Sequence, residues 1–234
     1  MESFVNQPFL AKRAKWARWG SYVGLGALFI GLFLTTRYLL ISYLLLLIGL
    51  IGATMGAYLS SRYVREPRAD QVLARVLENL DKRYALYSYY LASHYVLASH
   101  YGLMVIIPRA QAGEVIFANG RWSHKAGWQK LLQLLGEPGL GKPDQEATEE
   151  AKWVKEWIDK AMPEANIPVQ SVIVFTNPKV TLRLESPPPV PAVLAEDLSE
   201  YMRQGLKGQP TLTTAQQKEL RRLLDEVVAQ AQPA

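Results

Sequence analysis

Three histidines supply all the imidazole in the 234-residue chain. Two of them sit in a local duplication, because Leu91 to Tyr95 and Leu97 to Tyr101 both read LASHY. His94 and His100 are therefore six residues apart. On one continuous strand they would share a face but lie ~20 Å apart, too far to share a metal ion, and only a turn between them would bring them together. A two-histidine site also needs a carboxylate at close spacing, and no HxH or HxxxH pattern occurs, so both residues read as parts of a hairpin. His124 stands by itself in a turn. The absence of cysteine excludes disulfides, thiolate nucleophiles and sulfur-ligated metal centres. The Gly/Pro loop GEPGLGKPD does not have the spacing of a phosphate-binding P-loop, and no nucleophile-elbow motif supports Ser/His/Asp catalysis.

What positions these residues is a chain in two parts. Residues 20–36 and 38–60 are two apolar blocks without a charged side chain. About 20 such residues span a ~30 Å hydrocarbon core, so the blocks are expected to be transmembrane helices with Trp19 and Tyr38 at the interfaces. The short connection at Thr35, Thr36 and Arg37 makes them an antiparallel hairpin. The net charge of +5 is concentrated beside them. Residues 1–19 hold Lys12, Arg13, Lys15 and Arg18, and the juxtamembrane linker 61–68 holds Arg62, Arg65 and Arg68. These seven cations are expected to meet anionic lipid headgroups, and their bias places both termini and the soluble domain in the cytoplasm. The remainder is nearly neutral, which speaks against a nucleic-acid footprint. Gly20 with Gly24, and Gly52 with Gly56, are small-x-x-x-small pairs that either pack the hairpin on itself or make a homo-oligomer through Gly52 and Gly56.

From Ala69 onward the pattern alternates between helix and strand. Pro67 opens a helix carrying Val72, Leu73, Val76, Leu77 and Leu80 at helical spacing. Tyr84 to Ala92 reads as a strand. Tyr95 to Ala98 and Leu103 to Ile107 read as a hairpin turning at Gly102, and Glu114 to Asn119 as a further strand. A short helix is expected over Trp128 to Leu135. Asp144 caps a helix running to about Met162, and Val169 to Phe175 is a strand covered on both faces. SPPPVPA, Ser186 to Ala192, is a polyproline II spacer. Helices from Val193 to Gln204 and from Thr213 to Gln230 close the chain, the last with Thr214 and Gln217 as a capping box. The expected fold class is α/β, with a mixed central sheet in a sandwich over residues 69–230.

Gly102, the hydrophobic strand Leu103 to Ile106, Gly113 before Glu114 to Phe117, and Arg121 with Trp122 follow one another in fixed order. With Ser93 to Val115 at its centre, this stretch resembles the nuclease-related domain (NERD) family of the PD-(D/E)XK nuclease-like superfamily. Pro143 with Gln145 is similar to that family's Asn-Pro-x-x-Gln helix start, with Lys142 in place of Asn and one residue fewer before the Gln. Ser171 to Pro178 is similar to its closing core strand, and Leu212 to Val228 to its C-terminal helix. The resemblance implies a restriction-endonuclease-like fold in which an Asp and a Glu hold Mg²⁺ and a Lys assists the nucleophile. In this chain those positions are His94, Ile107 and Arg109.

Imidazole is a poor ligand for a hard ion, isoleucine is no ligand, and an arginine cannot act as a base. Pro108 is also expected to cost the central strand a ladder hydrogen bond. Asp70 matches the family's first-helix carboxylate, and with Gln145 would form a residual pocket. The implied function is a membrane-anchored, catalytically inactive binding or scaffold module for an unknown protein partner, with no cofactor and no metal. Two alternatives differ in class. A membrane-tethered nuclease would need migrated carboxylates such as Glu114 or Asp144 to restore Mg²⁺ binding and would engage nucleic acid. A membrane-organising oligomeric hairpin would carry its soluble part incidentally.

Overall fold

Seven-residue spacing sets the contact line of the two longest helices. In the computed structural model, which describes residues 1–125, 139–204 and 211–231, helix α1 spans Gln7–Leu34 and helix α2 spans Leu39–Tyr63. The buried residues of α1 are Leu10, Ala17, Gly24 and Gly31, and those of α2 are Ser42, Gly49, Gly56 and Tyr63. A strict seven-residue repeat keeps one seam facing a partner helix. Here that partner is the other arm of the same hairpin. A Cβ on Gly24 would lie 2.3 Å from the backbone nitrogen of Ala53, and one on Gly56 would lie 2.5 Å from that of Ser21. Gly24 and Gly56 are therefore buried in the contact within the hairpin, and Gly20 and Gly52 are half-buried beside it. Near the tip, Ser42 donates to the Gly31 carbonyl at 2.6 Å and lies 2.8 Å from the Thr35 hydroxyl, which satisfies a buried hydroxyl between two apolar helices. Both helices are long and apolar enough to cross a membrane.

The remaining described residues form a second unit built on a six-stranded mixed sheet. Its strands are β1 (Glu2–Val5), β2 (Ala85–Ser88), β3 (Tyr95–Ser99), β4 (Gly102–Arg109), β7 (Val169–Phe175) and β9 (Ala192–Leu194), in that spatial order. β2, β3 and β4 form an antiparallel meander, and β4, β7 and β9 run parallel. The strands β5 (Gly113–Ala118), β6 (Arg121–Lys125) and β8 (Val180–Leu184) make a smaller sheet with β5 in the centre. Four helices complete the unit: α3 (Ala69–Leu77), α4 (Pro143–Ala161), α5 (Leu198–Gln204) and α6 (Thr214–Ala231). Because side chains alternate across a strand, Tyr87, Val96, Val105, Ile107 and Ile173 share one face. They form a core with Val154 and Ile158 of α4 and Leu220 and Leu224 of α6. The alternate residues Leu86, Leu97, Met104, Ile106 and Val172 are also buried, together with Leu73 and Leu77 of α3 and Leu198 and Met202 of α5. Both faces of the sheet are covered. The unit is an α/β fold with a mixed sheet.

Several expectations shift in register. Within the basic N-terminal segment 1–19, Glu2–Val5 pair in parallel with Ala85–Ser88, and α1 begins at Gln7 with Pro8 in its first turn. The strand expected to Ala92 stops at Ser88, because Tyr89 adopts φ 68°, outside strand geometry. Val193 and Leu194 belong to edge strand β9 rather than to a helix, which starts at Leu198. Lys142, not Asp144, occupies the N-cap of α4, and Asp144 lies in the first turn. The reciprocal cap of α6 is one residue earlier than expected, with Gln216 N–H donating to the Thr213 hydroxyl and Thr213 N–H donating to Gln216 Oε1. The helix expected over Trp128 to Leu135 lies outside the described residues.

Candidate functional site

Pro108 shows how the strand that carries the family-like positions is built. Leu103 N–H bonds Pro168 O, and Arg109 O accepts from Thr176 N–H, so the odd-numbered residues of β4 direct their backbone groups toward β7. The nitrogen of Pro108 thus points to the β3 side, beyond the Val96↔Val105 pair at which the pairing of β3 with β4 ends. The missing donor interrupts no ladder, contrary to the sequence expectation. At the other end of β4, Gly102 adopts φ 122°, and a Cβ there would stand 2.3 Å from the Pro168 carbonyl oxygen. Only glycine fits both the turn and that approach.

His94, Ile107 and Arg109 lie toward the same end of the sheet, where β3 begins and β4 ends. Their surroundings differ. Ile107 is 2% exposed and belongs to the core against α4. Arg109, on the same face two residues on, places its guanidinium 2.6 Å from the Glu146 carboxylate of α4. Its side chain is 12% exposed, and that of Glu146 is 40% exposed. His94 is packed between aromatic rings, with Tyr89 at 5.6 Å and Tyr95 at 6.3 Å. Asp70 is buried on the same helix face as Leu73 and Leu77. Gln145 is exposed.

Sequence reasoning singled out Gln145 and missed Glu146. The spacing of the Asn-Pro-x-x-Gln motif that the resemblance implies, counted from Pro143, arrives at Glu146. The pair it makes is electrically neutral overall. Two buried donors nearby have no hydrogen-bond partner among the described residues, Arg109 Nε–H and Trp122 Nε1–H. Trp122 packs 4.9 Å from Phe117 and 6.0 Å from Phe175, and Phe175 is the register partner of Arg109 on β7. This end of the sheet therefore holds two buried N–H donors and, among the described residues, no carboxylate cluster for a cation.

The carboxylates considered as migrated ligands are placed differently. Glu114, on β5, lies 2.8 Å from Arg183 and 3.3 Å from Lys125, and hydrogen bonds from these two cations hold its carboxyl below the usual range. Asp144 stays half-buried in the first turn of α4. Among the described residues no group of three His, Asp or Glu side chains is gathered as a metal site would require. The two repeated histidines stand at opposite ends of β3. Burial pushes the His100 imidazole below its ordinary value, assisted by nearby Arg83 and opposed by Asp81. The third histidine, His124, sets Nε2 2.7 Å from the Ala112 carbonyl. No protein family, curated protein or solved structure matches the chain.

Proposed function

We propose that this chain is a membrane-anchored, NERD-like protein with a restriction-endonuclease-like fold that has lost metal-dependent catalysis and serves as a binding or scaffold module on the cytoplasmic side. Ile107 is the observation that carries the loss of catalysis. It stands where the resemblance calls for a metal-holding Glu, and it is sealed into the hydrocarbon core between β4 and α4. A carboxylate introduced there would be desolvated rather than presented to a cation. Arg109 supports the same reading, since its charge is already taken by Glu146. The fold assignment is supported by element order: a meander turning at Gly102, a strand ending in Arg109, Gly113 opening the next, then α4, β7 and the closing helix α6.

The anchor reading rests on the two apolar helices and on β1. Because residues 2–5 pair with residues 85–88, the segments before and after the hairpin fold together and must lie on one side of any membrane that the hairpin crosses. The positive-inside bias then makes that side the cytoplasm. The native chain has no cysteine, so single-cysteine labelling gives a clean test. Ser3→Cys and Glu156→Cys should react from the cytoplasmic side only, and Arg37→Cys from the opposite side. The catalytic test uses the full chain in lipid nanodiscs, with linear and supercoiled DNA and with RNA, in Mg²⁺ or Mn²⁺. No cleavage is expected. Cleavage abolished by a chelator would show that ligands have relocated and would replace this reading with that of a tethered nuclease.

A further inference from the structure

We infer that the base of α1 is a binding surface for anionic phospholipid, and that Lys12, Lys15 and Arg18 form it with Trp16 and Trp19. The inference rests on the membrane-spanning reading and adds the chemistry of the lipid. α1 is one continuous helix from Gln7 to Leu34, so its basic residues are held on a rigid rod directly below the apolar stretch. At 1.5 Å per residue, Lys12 to Arg18 covers about 9 Å, close to the depth of one headgroup layer. Trp16 and Trp19 are 64% and 61% exposed, although large apolar rings in water are unfavourable. Indole prefers the boundary between headgroup and hydrocarbon, and here it stands beside the cations that attract anionic lipid.

The structure also separates the seven basic residues beside the spans. Lys12, Lys15 and Arg18 are exposed and form no ion pair among the described residues. Arg62, Arg65 and Arg68 all make interactions within the protein, with Arg62 donating to the Tyr58 hydroxyl at 3.1 Å. Arg13 stacks over the Phe9 ring at 5.2 Å. Of these seven, Lys12, Lys15 and Arg18 on α1 are thus the ones whose charged ends make no contact among the described residues.

The full chain is reconstituted into phosphatidylcholine bilayers doped with either brominated phosphatidylglycerol or brominated phosphatidylcholine, and tryptophan quenching is compared at low and high salt. Trp16→Phe with Trp19→Phe defines the lipid-sensitive fraction of the signal. Phosphatidylglycerol is expected to associate about fivefold more strongly at low salt, the effect of roughly one well-placed cation, with the preference shrinking as salt rises. Lys12→Gln, Lys15→Gln and Arg18→Gln together should abolish the preference, while Arg62→Gln, Arg65→Gln and Arg68→Gln together should retain it. Equal quenching by the two lipids, or a preference that survives the α1 substitutions, overturns the inference while leaving the membrane anchor intact. Absence of quenching by either lipid overturns the anchor itself, and the inference with it.

Discussion

Phe4 stacks on Tyr87 with ring centroids 5.1 Å apart and an interplanar angle of 14°, joining a strand that precedes the hairpin to the sheet that follows it. The same strand donates Asn6 N–H to Ser88 O, and Glu2 pairs with Arg221 of α6. A soluble fragment beginning near Glu66 would therefore leave β2 as an unpaired edge and expose the face of Tyr87. Phe4→Ala in the full chain is expected to cost about 1–3 kcal/mol, less than a fully buried phenylalanine because Phe4 is half-buried. Hydrogen exchange gives a sharper test. Tyr84 and Ser88 carbonyls accept from β1, so the even-numbered amides Leu86 and Ser88 face that strand and should exchange faster in the variant. Ala85 and Tyr87, which face β3, should keep their protection.

Gly24 and Gly26 are two residues apart on α1 and should respond oppositely to the same change. Side-chain atoms at Gly24 would run into the backbone of α2, whereas nothing lies within 4 Å of a Cβ at Gly26. Gly24→Ile is expected to separate the arms of the hairpin, and Gly26→Ile to leave them packed. Spin labels on Leu25→Cys and Ile51→Cys, both on exposed positions of the hairpin, would report this. The distance distribution should broaden and lengthen for Gly24→Ile alone. Broadening in both variants would mean that the seam is not the one described.

The hairpin, the Gly102 turn and the strands around it were legible because each is specified locally, by an uninterrupted apolar run or by a residue that alone tolerates a backbone conformation. β1 was not. Glu2 to Val5 is too short to show a period, and its partner is more than 80 residues away, so tertiary pairing rather than propensity makes it a strand. The seam at Leu10, Ala17, Gly24 and Gly31 was written in the sequence at a spacing of seven, but the eye settles first on the spacing of four at Gly20 and Gly24. At the candidate site, that Ile107 cannot ligate a metal was readable from residue type. Its burial against α4, and the pairing of Arg109 with Glu146, depend on how a distant helix lies on the sheet.

Introducing a carboxylate at Ile107 should break the fold before it makes a metal site. Ile107→Glu places an ionisable group in a core with no partner and is expected to cost about 4 kcal/mol or more, whereas Ile107→Val should cost about 1 kcal/mol. Chemical denaturation of the two variants checks the contrast. A stable Ile107→Glu protein would show that this end of the sheet admits water.

Arg109 and Glu146 should be energetically coupled although one partner is half-exposed. Removing Glu146 leaves a largely buried guanidinium uncompensated, so Glu146→Gln is expected to cost about 1–3 kcal/mol, between the values for exposed and fully buried pairs. The neighbouring change Gln145→Ala, at an exposed position, should stay within about 0.5 kcal/mol of the native chain. A double-mutant cycle with Arg109→Met isolates the pair term, and additivity of the two single changes would show that the contact contributes nothing.

Acid should weaken the sheet unit through His100 before it reaches the carboxylates. Burial lowers the pKa of this imidazole below the 6.5 of an unfolded chain, so between the two values the unfolded state binds more protons than the folded one. Stability contributed by the neutral ring is complete above about pH 7 and declines as the pH falls through 6.5 toward the folded pKa. Asp81, held low by its hydrogen bonds to Arg83, loses its contribution only further down, as the pH falls below its unfolded value of 3.8. His100 meets Tyr84 edge-on at 5.6 Å, and its Nδ1 is buried without a hydrogen-bond partner among the described residues. His100→Phe removes the titrating group while keeping a ring against Tyr84. Denaturation midpoints measured from pH 7.5 to 4.5 should slope downward in the native chain and lose that part of the slope in the variant. Parallel profiles would assign the acid sensitivity to other groups.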